Sequence, residues 1–270
     1  MADVQMLTDS CFIASDVSEG DIFDVGGSII NSNVCHKIKA DFSQLSDLYA
    51  KVDHSFAASD MNGLQGYAES LGTNANPDMF ASLFLLQKVI EKHVWPKTSK
   101  NLFDRGKLYE DGKETPLSEI VKAEQMACVE LALFAAKPLQ DRGMSVRMIS
   151  GTFVGQKIEP GGEDYNEPHT FLAIDDPGSD KVLIYDPANP IISNHGQFPS
   201  IFAIPQAEFD FWLEKAQSGT AYLQADEELS GKTKYYGASA PMLCFWPDKH
   251  VVQRPQSVSE TVSKPEEFHI

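Results

Sequence analysis

Apolar positions recur along this chain with two different periods, and the changes of period mark its elements. Over residues 41–52, Phe42, Leu45, Leu48, Tyr49 and Val52 fall at helical spacing, with Asp41 placed to cap or favour the first turn. A longer helix is predicted from a cap at Asp78 through His93. It carries Phe80, Leu83, Phe84, Leu86, Val89 and Ile90 inward, and Pro96 stops it. Asn62-Gly63 and the run 72–77 punctuate the interval between them, around a short segment at 64–71. At 115 the pattern tightens. Thr115 caps a helix with Pro116 in its first position, Leu117, Ile120 and Val121 give it a short apolar face, and a break follows over 122–127. From Ala127, the positions Val129, Leu131, Leu133 and Phe134 define a helix that is apolar nearly all round, which belongs inside a core. Pro138 bends or ends it, Gly143 supplies a left-handed residue, and Val146, Met148 and Ile149 begin a strand.

Beyond 151 the pattern is that of strands. His169 heads one, residues 171–174 continue it, Asp176-Pro177-Gly178-Ser179 is strong turn chemistry, and 182–185 form a partner strand ending at Asp186. The preceding loop, 155–166, contains Pro160-Gly161-Gly162 and is expected to be flexible enough to cover a cleft. The polar stretch 97–114 reads as a loop or short hairpin bordering the same region. Further on come a strand at 202–204, an amphipathic helix over 206–216 with Phe209 and Trp212, and a strand at 241–246. Residues 1–36 read as weak strands or an irregular arm, and 253–270 as a polar, disordered tail. The expectation is one α+β domain over 1–252, with a helical part over about 1–112 and a core over about 113–252 in which a buried helix packs on an antiparallel sheet.

Composition narrows the function. Of 270 residues, 42% are apolar and 16 are Phe, enough to fill a sizeable core. The formal charge of −17 argues against nucleic acid or an anionic membrane as partner and favours a basic protein surface. The four cysteines, Cys11, Cys35, Cys128 and Cys244, are widely spaced without a Cys-x-x-Cys, so free thiols in a reducing compartment are expected. No Lys or Arg precedes Lys37 and no apolar run approaches the ~20 residues that span a bilayer, so cytoplasmic synthesis without a secretory signal is expected. Delivery by a machine that reads other signals, as for bacterial effectors, is compatible with this. No cofactor or metal is expected. His54 and His93 lack ligand partners, Cys35 and His36 point to opposite faces if in a strand, and Asp226 stands where a phosphate loop ending in Gly231-Lys232-Thr233 needs glycine.

Candidate chemistry converges on the helix at 127. Cys128 sits in its first turn, where unpaired N–H groups and the positive helix end favour thiolate over thiol. The alternative is one more small core residue. His169 and Asp186 lie at adjoining ends of an antiparallel hairpin, so they are expected to be neighbours although 17 residues apart (186 − 169). A base oriented by a carboxylate beside a helix-borne thiol is the constellation for nucleophilic acyl transfer. Asp175 and Asp176 compete as orienters, but at the turn they are expected to be solvated and remote. Gln125 is either an oxyanion donor beside the Cys128 N–H or an exposed helix-entry residue.

The order of AEQMACVELALFAA, DRGMSVRMISG, HTFLAID and IYDP resembles the transglutaminase-like branch of the papain-like thiol enzymes, over roughly residues 115 to 190. The matching positions are Cys128 and Glu130, Gly143 and Gly151, His169 and Phe171, and Asp186 and Pro187; Met126 and Ala127 stand where that family often has Gly or Trp. The resemblance implies a papain-like, transglutaminase-like fold with added N-terminal helices. It also implies Cys128 as nucleophile, His169 as base and then acid, and Asp186 as the group that fixes the imidazole. The expected activity is acyl transfer from a protein carboxamide, glutamine above all, to an amine (transglutaminase) or to water (deamidase). A papain-like protease and a catalytically silent protein-binding domain are the alternatives.

Overall fold

The computed structural model describes residues 3–8, 11–24, 37–57, 76–95, 108, 113–156, 164–188, 200–207, 209–210, 213, 223–225, 234–237 and 251–253. In chain order these form strands β1 (Asp3–Thr8), β2 (Cys11–Ser15), β3 (Ile22–Asp24) and β4 (Lys37–Lys39), then a short 3-10 turn at Phe42–Leu45. Helices α1 (Ser46–Ala57) and α2 (Pro77–His93) follow, then β5 (Glu114–Pro116), α3 (Leu117–Lys122) and α4 (Cys128–Gln140). The remaining strands are β6 (Val146–Gln156), β7 (Asp164–Asp175), β8 (Lys181–Tyr185), β9 (Ile201–Pro205), β10 (Leu223–Ala225), β11 (Lys234–Gly237) and β12 (Val251–Gln253).

The larger sheet runs β12-β10-β11-β6-β7-β8-β9, all antiparallel, with the β1-β2 hairpin joined to β6 through β2. Strand β6 divides one edge between two partners: Arg147 to Ser150 pair with β2, and Phe153 to Gln156 with β11. A separate three-stranded sheet, β3-β4-β5, pairs β4 and β5 in parallel. The chain is thus α+β, with helices packed on antiparallel sheet. No helix among the described residues is long and apolar enough to cross a membrane.

Helix α4 packs on β6 and β7. Leu131, Ala132, Leu133, Phe134, Ala135, Ala136 and Leu139 are all buried, as the unbroken apolar run requires, and each large side chain taken fully out of water contributes about 1.5–3 kcal/mol. Met148, Leu172, Leu183 and Tyr185 meet this helical layer from one sheet face. Strand alternation puts Ile149, Phe171, Val182 and Ile184 on the other, and they are buried too. That face has its own apolar cover, since Phe209 is fully buried and the Arg147 guanidinium lies 4.9 Å over its ring. Burial on both faces is why 182–185 reads as a continuous apolar run.

Pro138 does not end α4, which continues to Gln140. Proline lacks the N–H that would bond the Phe134 carbonyl one turn back. The Tyr49 hydroxyl donates to that carbonyl instead, at 3.4 Å, while its ring stacks on Phe134 with centroids 4.9 Å apart. The helix closes as expected at Gly143, whose φ of +78° lets Met144 N–H reach the Leu139 carbonyl at 3.1 Å.

Several expected boundaries move for identifiable reasons. Asn76, rather than Asp78, caps α2: its Oδ1 accepts from Asp78 N–H at 3.0 Å, with Pro77 in the first turn. Thr115 and Pro116 belong to β5, and α3 begins at Leu117. Its first turn is capped from a distance by Asp41, which accepts from Ser118 N–H at 2.9 Å and Ser118 Oγ at 2.5 Å. Asp41 therefore makes no side-chain cap to the turn that follows it. The loop expected over 155–166 is shorter, because β6 and β7 stay paired out to Gln156 and Asp164. The weak strands expected within 1–36 are present as β1, β2 and β3, and the first two join the large sheet, so the part over 1–112 is not purely helical. Of the predicted 206–216 helix, Gln206, Ala207, Phe209, Asp210 and Leu213 are helical. Cys35, His36, Pro96, Trp212, Cys244, the segment 64–71, most of 97–114, the strand at 241–246 and the tail after Gln253 lie outside the described residues.

Candidate active site

Cys128 is the first residue of α4, and the five residues before it are held firmly. Helix α3 ends with Gln125 N–H bonded to the Ile120 carbonyl at 3.2 Å and Glu124 N–H to the Val121 carbonyl at 3.0 Å. This closure puts Glu124 at φ +57°, a left-handed position that a non-glycine residue rarely occupies. Met126 is buried, and Ala127 takes the extended conformation of a helix cap. Alanine has no acceptor to offer the first turn. The fully buried Glu130 supplies the other half of the capping box, its Oε2 accepting from Ala127 N–H at 2.8 Å. The Cys-x-Glu pattern thus has a structural reason: Glu130 anchors the backbone that carries Cys128. The first intrahelical bond runs from Leu131 N–H to the Ala127 carbonyl, 2.9 Å, so the Cys128 N–H lies in the turn that has no helical acceptor.

His169 is in β7, directly across from Gly151 of β6, and β7 pairs with β8 from Leu172↔Tyr185 to Asp175↔Val182. Extending that register by one residue sets Asp186 opposite Phe171, diagonal to His169 and on its face. The expected adjacency is met: His169 Nε2 and Asp186 Oδ2 are 2.5 Å apart. Burial alone would pull the imidazole down, but the charge and hydrogen bond of Asp186, joined by the hydrogen bond and charge of Cys128, hold it well above its ordinary value. With Nε2 engaged by the carboxylate, Nδ1 is the nitrogen left for the thiol. Cys128, at half-buried depth, is a free cysteine. One imidazole therefore has Asp186 on one side and Cys128 on the other.

Asp186 is fixed in turn. Its N–H donates to the Ser200 carbonyl at 2.7 Å, and its Oδ1 accepts from Ala188 N–H at 3.0 Å. The Pro187 carbonyl accepts from Trp95 Nε1 at 2.9 Å and from Gln87 Nε2 at 3.3 Å, while Gln87 Oε1 accepts from the Tyr185 hydroxyl at 2.8 Å. Gln87 is wholly buried on α2, so one amide grips both residues that flank Asp186. Sequence reasoning missed Gln87 and Trp95. The only local signal was a polar residue at the inward position 87 of an apolar helix face.

Gln125 is close to Cys128 in sequence and half-buried, and its Oε1 is buried with no hydrogen-bond partner among the described residues. Asp175 bonds Arg147 at 2.7 Å and Ser145 at 2.7 Å, six residues along β7 from His169 and so roughly 20 Å away. Asp176 is buried rather than solvated, and accepts from Asn76 N–H at 3.3 Å. The turn it opens is the expected one, with Gly178 at φ +87° and Ser179 N–H on the Asp176 carbonyl at 3.1 Å. Among the described residues no cluster of three or more His, Cys, Asp or Glu side chains could hold a metal ion. Comparison with family models, curated proteins and solved structures finds no match to this chain.

Proposed function

We propose that this chain is a cysteine-dependent acyl-transfer enzyme of transglutaminase-like, papain-like build, acting on the carboxamide of a protein glutamine. The observation that carries the reading is the single imidazole, His169, paired with Asp186 at 2.5 Å and near enough to Cys128, at the start of a buried helix, for the thiol to help raise its pKa. In this reading Cys128 Sγ attacks the carboxamide carbon as thiolate, with its proton resting on His169. The carbonyl electron pair moves to oxygen, where the Cys128 N–H and the Gln125 side chain are the candidate donors. As that pair returns, the C–N bond breaks, the imidazolium proton passes to the departing nitrogen, and ammonia leaves a thioester. Neutral His169 then takes a proton from water or an amine, which attacks the thioester and releases Cys128. Asp186 holds the ring so that one nitrogen faces sulfur throughout.

Glutamine-rich basic proteins incubated with the chain are expected to gain about 1 Da per reacted glutamine, or an adduct when a labelled primary amine is supplied, by the water-or-amine choice at the thioester. Cys128→Ala should abolish both while leaving thermal unfolding nearly unchanged, because alanine suits a helix start of this kind. Backbone cleavage that depends on Cys128, with glutamines untouched, would make the chain a protease. Alkylation of Cys128 no faster than an ordinary thiol would favour a silent binding domain.

A further inference from the structure

Away from Cys128, helices α1 and α2 enclose an open groove of about 600 Å³. Each helix gives it one stripe of residues at helical spacing: Ala50, Lys51, His54 and Ser55 from α1, and Lys88, Val89, Lys92 and His93 from α2. Val89 is buried at its base and Ala50 lies exposed at its side, and three lysines and two histidines line it from both helices. In a chain of net charge −17 that concentration is unusual, and His54, Lys92 and His93 also stand in the last turns of their helices, where the carbonyl ends carry partial negative charge. Lys88 meets Glu91 only at 3.9 Å and spends part of its charge over the Phe84 ring, 5.6 Å away. Among the described residues Lys51, His54, Lys92 and His93 have no carboxylate partner. Burial first, and then the positive charges of Lys51 and Lys92, pull the His93 imidazole down, so both lysines act at the same point of the groove.

We propose that this groove is a binding site for a small molecule carrying two or more phosphate groups. The cations are the lysines Lys51, Lys88 and Lys92, with the His54 and His93 imidazoles beside them and no arginine, which suits compact point-charge contact with phosphate oxygens over the paired geometry of a carboxylate and guanidinium. They come from both helices, Lys51 from α1 and Lys88 and Lys92 from α2, so a ligand with two linked anionic groups meets cations on both. The volume fits a small molecule of that class. Electrostatic attraction is concentrated locally although the molecule as a whole repels anions, so binding should weaken with salt. This inference is independent of the acyl-transfer reading.

Calorimetric titration of the full chain with pyrophosphate at low ionic strength, in a phosphate-free buffer, tests it. Saturable one-to-one binding is expected, with inorganic phosphate at least about tenfold weaker, a difference of about 1.4 kcal/mol. The double substitution Lys51→Glu with Lys92→Glu should weaken pyrophosphate by at least the same factor, whereas Lys39→Glu with Lys122→Glu, which changes net charge equally at exposed positions outside the groove, should not. If the double reversal unfolds the chain, Lys51→Gln with Lys92→Gln keeps the comparison. Absence of pyrophosphate binding overturns the proposal, as does equal loss in the Lys39→Glu, Lys122→Glu control or affinity unchanged in both groove double variants.

Discussion

At His169 burial and charge oppose each other, and charge wins. A half-buried imidazole would ordinarily give up its proton more easily, yet the Asp186 carboxylate at 2.5 Å and the adjacent Cys128 keep it protonated well above its ordinary range. If thiolate and imidazolium are the reactive pair, loss of the imidazolium proton sets the alkaline limb of kcat/KM. Asp186→Asn removes the largest influence that raises the value, so that limb should move to lower pH, with kcat falling by up to about 10⁴-fold. Rate profiles of the two proteins over the same pH range check both parts, and an unmoved limb would take the role from Asp186. The same linkage has a definite sign for folding. The His169 contribution is fully present below the ordinary value of about 6.5 and fades as pH rises through the raised folded value. Cys128 and Asp186 were legible in sequence because each stands at an element's boundary, the one opening a helix and the other just past a strand. His169 was expected to head a strand, but β7 begins five residues earlier at Asp164, and the neighbourhood of His169 and Asp186 held because the hairpin register sets it and not the strand's start. Gln125 was legible only as a neighbour in the chain, and its buried Oε1 came from the fold.

Helix α4 shows what local pattern predicts and what it does not. Its apolar sweep, start and glycine closure were readable, but Pro138 looked like a breaker because the donor that answers it lies on another helix. Tyr49→Phe would leave the Phe134 carbonyl without Tyr49's hydrogen bond in a buried place, at an expected cost of about 1–3 kcal/mol. Denaturant unfolding measures it, and a neutral substitution would mean that the 3.4 Å contact contributes nothing. The other misplaced boundaries have the same origin. Asp41 caps a turn 77 residues away in sequence, and Gln87 holds the carbonyl of Pro187 across 100 residues. Local period carries no record of such partners. Helix α2 acquires a definite task from that contact, since Gln87 and Trp95 keep the strand end that presents Asp186 in place. Gln87→Met should therefore lower kcat more than KM and shift the alkaline limb in the direction of Asp186→Asn, with Trp95→Phe doing so more weakly. A change in stability alone, with kcat and pH profile intact, would reduce Gln87 to a packing residue.

Across the whole molecule, the sheet is assembled from segments far apart in the chain, and its antiparallel hairpin at β7 and β8 was the only pairing that sequence could specify, because turn chemistry fixes its register. The attachment of β2 to β6 and the parallel pairing of β4 with β5 join the arm before residue 40 to strands more than 70 residues later, so neither leaves a local signature. Net charge, by contrast, is a property of the sum, and it was available at once. At −17 the molecule should draw a basic substrate toward the site and repel an acidic one, an effect on encounter that can raise association rates by about 10- to 1,000-fold in dilute salt. Raising ionic strength from about 0.01 M to 1 M shortens the Debye length from about 30 Å to 3 Å and removes most of that attraction. Two glutamine peptides, one flanked by lysines and one by glutamates, separate steering from chemistry. With the lysine peptide kcat/KM should fall at least about tenfold over that range. With the glutamate peptide it should rise or stay level, and kcat at saturation should change little for either. Equal salt response from the two would mean that the overall charge does not act at the site, and that selection among protein substrates rests on contacts made after encounter.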